Sequence, residues 1–122
     1  MMNIETEIPG INAEAGLSLF GGEEDLYLSA LRSYAANIPA AIEKLRNFSD
    51  FSNPAYAVTV HGLKGTSDTI GAESLRDKAL ALEKLAKDGD LSGAAAKNAE
   101  LVQDAETLVA DIKSWLNKQE KE

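Results

Sequence analysis

The chain has 122 residues, a length that fits one domain and can bury a core without covalent staples. Hydrophobic residues make up 44% and charged residues 26%, an ordinary soluble profile, and no apolar run approaches the ~20 residues that span a bilayer. Cysteine is absent, which excludes disulfides and thiolate metal sites, and a net charge of −8 argues against nucleic acid or anionic lipid as a partner.

Residues 1–12 read as an extended N-terminal segment, because Pro9 and Gly10 hold Ile4 to Asn12 out of helix. Met1 to Gly10 carries neither the basic nor the apolar region of a signal peptide, and a cytoplasmic location is expected. A short turn of helix is expected over Ala13 to Phe20, ended by Gly21 and Gly22. Glu23, Glu24 and Asp25 then place negative charge in the first turn of a long helix, where the macrodipole favours it. That helix runs to about Phe48 with Tyr27, Leu31, Tyr34, Ile38, Ile42 and Leu45 on one stripe. Pro39 lies inside it and predicts a kink or two shorter helices, since an internal proline costs about 3 kcal/mol.

Ser52 or Asn53 with Pro54 signals the next helix, which continues to about Ile70 and stops at Gly71. Glu73 to Lys87 forms another, with Ala72, Leu75, Ala79, Leu82 and either Leu85 or Ala86 on its apolar face. Lys87 to Asp90 is a turn. Ser92 is the expected cap of a final helix carrying Leu101, Ala105, Leu108, Ile112 and Trp115 or Leu116. The fold class is therefore all-α: an antiparallel four-helix bundle over residues 13–119 with a short extra N-terminal helix, and a frayed tail at 120–122.

His61 is the one histidine. At about 100° per residue, Tyr56, Val60, Leu63, Ser67 and Ile70 fall in a sector about 80° wide, and His61 lies roughly 140° from its centre. The ring is thus expected in solvent. Its neighbours at three and four residues are Ala57, Val58, Lys64 and Gly65, with Asp68 two turns along. Gly65 costs a helix about 1 kcal/mol relative to alanine, so clearance for an approaching protein is the expected reason for it. Val58 offers an apolar contact, and Leu28, off the main stripe of its helix, is expected to extend that docking patch. Ser67 is read as a small core-side residue bonded to the backbone one turn earlier. No carboxylate stands three or four residues from His61, so a Ser-His-Asp type triad is unsupported, and one histidine with Asp68 is too few ligands for a metal. Imidazole is a competent nucleophile near neutral pH, and Lys64 is placed to balance a negative group carried on the ring.

The run His61-Gly62-Leu63-Lys64-Gly65-Thr66-Ser67-Asp68-Thr69-Ile70-Gly71-Ala72 resembles the signature of the histidine-containing phosphotransfer (HPt) domain, H-x-L-K-G-x-[SA]-x-x-[IL]-G-A. Ile11 to Tyr34 is similar to the family's N-terminal segment, and "LRDKALALEKLAKDGDL" to its fourth helix with the E-x-x-[AL]-x-x-G-D end. Val60 departs from the small residue that often precedes the histidine. The resemblance implies a phosphorelay carrier: His61 takes a phosphoryl group from a receiver-domain aspartate and passes it to another, Lys64 assists electrostatically, and Gly65 gives clearance. It implies no kinase activity and no cofactor bound by this domain, with Mg²⁺ held by the partner receiver. Implied partners are response-regulator receiver domains and a hybrid sensor kinase, with the chain itself monomeric. Thr6 to Ile11 is similar to the linker before such domains in hybrid kinases, so the chain is expected to be either a piece of one or a free shuttle. The rival expectation is a four-helix module that binds a receiver without being phosphorylated.

Overall fold

The helices expected from apolar spacing all form, and four of them close into a ring. The computed structural model describes residues 8–47 and 53–121, in five helices: α1 (Ala13–Leu19), α2 (Glu24–Arg46), α3 (Asn53–Thr69), α4 (Glu73–Lys87) and α5 (Leu91–Lys121). Each of α2 to α5 packs on two others, in the cycle α2–α3–α4–α5, and α1 lies across α2 and α3. The short links Ile70–Ala72 and Asp88–Asp90 leave consecutive helices no option but to run antiparallel. The core is the set of stripes expected: Tyr27, Leu31 and Leu45 of α2, Val60 and Leu63 of α3, Leu75 and Leu82 of α4, Leu101 and Ile112 of α5 are all buried. Of the paired alternatives, Ala86 is buried and Leu85 half-buried, whereas Trp115 and Leu116 are both buried.

Local expectations are corrected in several places. Pro39 does not divide α2, which runs unbroken to Arg46. Ile38, Ile42 and Leu45 around the proline are buried, and that packing outweighs the missing backbone donor. Asp90, not Ser92, caps α5: its carboxylate accepts from the Gly93 N–H at 2.8 Å, two residues before Ser92. α5 is helical through Lys121, and Asn117 to Lys121 holds no glycine or proline. The extended reading of Ile4 to Glu7 and the helix end at Phe48 lie outside the described residues.

Three polar ties set the rotation of α3 about its axis. The Tyr27 hydroxyl donates to the Ile70 carbonyl at 2.6 Å. Tyr34 and Ser67 share a buried hydroxyl–hydroxyl bond of 2.9 Å, so Ser67 reaches across to α2 rather than back along its own helix. Gly71, at φ +82°, ends α3 in the left-handed conformation, where a side chain would run into the Asn12 carbonyl. Asn12 seals this corner: its N–H donates to the Gly71 carbonyl at 2.8 Å, and its side chain caps α1 and donates to Glu73.

Candidate functional site

With α3 held in this rotation, the side chain of His61 is 63% exposed, as the helical wheel places it. The ring does not stand alone. Its Nδ1 lies 2.6 Å from Oε2 of Glu83, a carboxylate on α4 whose side chain is only 4% exposed. Lys64, one turn along α3, donates to the other oxygen, Oε1, at 2.7 Å. Lys87, one turn along α4, places its ammonium 3.3 Å from Oε2. Three nitrogens thus converge on one buried carboxylate. The Lys64 hydrogen bond, with help from His61 and Lys87, outweighs desolvation and holds Glu83 down at about 2.

This geometry fixes the chemistry of the ring. An ionised carboxylate only accepts hydrogen bonds, so Nδ1 carries the proton facing Glu83. In the neutral ring the lone pair then resides on Nε2, and no described residue hydrogen-bonds that atom. The outcome is a histidine oriented by a carboxylate, with its second nitrogen a nucleophile facing solvent. The orienting carboxylate is thus absent from α3 and stands instead on α4, 22 residues away. A signal for it stood in the sequence. Glu83 follows Ala79 by four residues and precedes Ala86 by three, so it lies on the apolar stripe of α4, where a charge survives only if paired.

The other expected residues divide. Gly65 is exposed, and a methyl group built on it would meet nothing within 4 Å beyond its chain neighbours and the adjacent backbone of its own helix. The same holds for Gly62. Nothing internal requires glycine at either position, and together they leave the helix surface beside His61 bare. Val58, one turn before His61, is 72% exposed. Ala57 is not available to a partner as expected: at 8% exposure it belongs to the core. Leu28 is half-buried against the core and offers only an edge to a partner. Asp68 is exposed but engaged, accepting from Arg76 of α4 at 2.9 Å. Lys64 is engaged within the chain. Its ammonium is held on Glu83, and its side chain is only 25% exposed.

Among the described residues no group of three or more His, Asp or Glu could hold a metal ion, and no helix is long and apolar enough to cross a membrane.

Comparison with known proteins agrees with the bundle and the run around His61. The family model described as Hpt domain matches residues 25–115, from the start of α2 to Trp115. No curated protein and no solved structure gives a significant match. Matched over more than half its length, and folded as a helical bundle, the chain belongs to the Hpt domain family, phosphocarriers of two-component signalling without catalytic activity of their own.

Proposed function

We propose that His61 is the residue that carries the phosphoryl group, and that Nε2 is the atom that bears it. The observation that carries this reading is the division of labour on one ring: Nδ1 is engaged by Glu83, and Nε2 is left facing solvent on a 63% exposed side chain. Nε2 attacks the phosphorus of a receiver's aspartyl phosphate in line. The Nε2–P bond forms as the bond from phosphorus to the aspartate oxygen breaks, and the aspartate leaves as a carboxylate. The reverse attack by a second receiver's aspartate returns the ring to its starting state. Positioning and charge stabilisation dominate such transfers. The receiver brings the Mg²⁺, and this chain supplies the oriented imidazole and the bare surface at Gly62 and Gly65.

Receiver domains are the partners the family implies. Val58 and the glycine surface form the centre of the face that docks them, in the cytoplasm. Contact is modest, because a carrier must release each receiver after exchange. Incubation with a phosphorylated receiver tests the assignment. Acid-labile, base-stable label on the wild type and none on His61→Gln is expected. Equal label on both proteins rules out His61, and label on neither leaves a receiver-binding module.

A further inference from the structure

We propose that residues Ile8 to Asn12 are a strap that opens and closes as a unit with α1, and that its closure holds the far end of the docking face on α3. The inference takes that docking face from the reading above. The strap itself lies before residue 25, where the match to the family model begins.

The sequence Ile8-Pro9-Gly10-Ile11 has the form of a type II turn. Proline stands at its second position, Gly10 at its third with φ +86°, and the Ile11 N–H donates to the Ile8 carbonyl at 3.4 Å. Ile8 and Ile11 enter the core, while Pro9 and Gly10 stay exposed. Those two tip residues wall an open groove of about 290 Å³ together with Ser74 and Lys78 of α4 and Asp104 and Thr107 of α5. Packed interiors leave few such gaps, so the strap grips the bundle through its two isoleucines and not through its tip. α1, which follows it, has seven residues, too few to be stable as a helix alone. The cycle α2–α3–α4–α5 closes without either. A segment with few anchors, on a scaffold that is complete without it, is the kind of unit that opens while the rest stays folded.

What the strap touches gives the opening a consequence. Asn12 donates its N–H to the carbonyl of Gly71, the residue that ends α3, and its Nδ2 to Glu73 at 2.9 Å. Gly16 of α1 packs so closely on the Tyr27 ring and the Ile70 carbonyl that a methyl group there would collide with both. Closed, the strap and α1 therefore back the last turn of α3. An ion-pair chain leads on from that corner: Arg76 lies 3.9 Å from Glu73 and donates to Asp68 at 2.9 Å. Asp68 stands two turns beyond His61, at the opposite end of the face from Val58. Opening removes the donors at Gly71 and Glu73 and loosens this end. The bond between His61 and Glu83 involves none of these residues, so the ring stays in place. A receiver needs the whole face, whereas a small donor needs only the ring.

The experiment uses the whole chain. Amide hydrogen exchange is followed by NMR for the wild type at several low urea concentrations, and for Ile8→Ser and the conservative Ile8→Val. In the wild type the Asn12 and Gly16 amides are expected to be at least about tenfold less protected than the Leu101 amide of α5, through an opening of their own. In Ile8→Ser the Asn12, Gly71 and Ala72 amides exchange together, at least about tenfold faster, the least that loss of one buried isoleucine implies, and Leu101 is unchanged. Ile8→Val keeps most of the protection. Two labelling rates read the consequence. One uses a phosphorylated receiver. The other uses phosphoramidate, a small donor that needs no receiver: the Nε2–P bond forms, the P–N bond breaks, and ammonia leaves. Ile8→Ser should label from phosphoramidate as the wild type does and from the receiver about fivefold more slowly, the low end of coupling between sites. Equal protection of Asn12 and Leu101 in the wild type overturns the separate strap, and this holds even if Ile8→Ser fails to fold. Gly71 and Ala72 amides that do not respond, or two labelling rates that fall alike, overturn its action on the face. Should the wild type take no label on His61, the carrier assignment falls, and the exchange data still decide the strap.

Discussion

Nδ1 of His61 and the buried carboxylate of Glu83 lie 2.6 Å apart across the α3–α4 interface, the most extensive helix contact in the bundle. One side chain is largely exposed and the other almost wholly covered. The pair therefore joins an exposed ring to the core, and the packing of two helices sets the direction in which that ring points.

Acid sensitivity follows from Glu83. Its carboxyl is held at about 2 in the folded chain, chiefly by Lys64, against an ordinary value of 4.5. A depressed carboxylate contributes stability that is fully present above the ordinary value and is lost as pH falls toward the folded one. Urea denaturation at pH 7 and pH 3 is expected to show Glu83→Gln as the less stable protein at pH 7, with the gap to the wild type narrowing at pH 3. A gap that stays constant across this range would place the stabilisation elsewhere.

Gly65 and Gly71 make opposite predictions from the same substitution. At Gly65 a methyl group meets nothing, so Gly65→Ala gains up to about 1 kcal/mol of helix stability. It should label from phosphoramidate as the wild type does and exchange more slowly with a receiver, because the added atoms face the partner. At Gly71 the positive φ and the nearby Asn12 carbonyl make alanine destabilising. Thermal melts of both variants, with the two labelling rates for the Gly65 variant, check the pair. Faster or unchanged receiver exchange by Gly65→Ala would remove the clearance argument.

Val58→Glu separates docking from chemistry in the same way. An exposed valine one turn from His61 costs little to replace, so stability and phosphoramidate labelling should hold while receiver exchange falls. If receiver exchange is unaffected, the docking face lies elsewhere on the bundle.

Legibility in the sequence followed a physical rule: what one helix decides alone was readable, and what two helices decide together was not. The apolar sector of α3 and the outward turn of His61 depend only on helical period, and both are as expected. Ala57 lies outside that sector by period, and it is covered only because neighbouring helices pack over it. Asp68 is exposed by period, but its bond to Arg76 spans two helices. Pro39 carries a strong local breaking signal that burial of its neighbours overrides. Glu83 was legible only as an anomaly, a charge on an apolar stripe, and such an anomaly calls for partners without naming them.

Tyr34→Phe tests what holds α3 in its rotation. It removes the bond to Ser67 and leaves a fully buried hydroxyl without that partner, at a cost of about 1 kcal/mol in urea denaturation. Tyr27 still ties the end of α3 through Ile70, so phosphoramidate labelling should be unchanged. A large fall in labelling would show that the two tyrosines hold α3 only in concert.

The central claim, that His61 relays a phosphoryl group between receivers, is tested most directly by a chase. A phosphorylated receiver labels the chain, the receiver is removed, and a second, unphosphorylated receiver with Mg²⁺ is added. Label is expected to arrive on His61, leave it, and appear on the aspartate of the second receiver, with no passage in His61→Gln. Label that reaches the second receiver equally well through His61→Gln, or that never enters the wild-type chain, would contradict it.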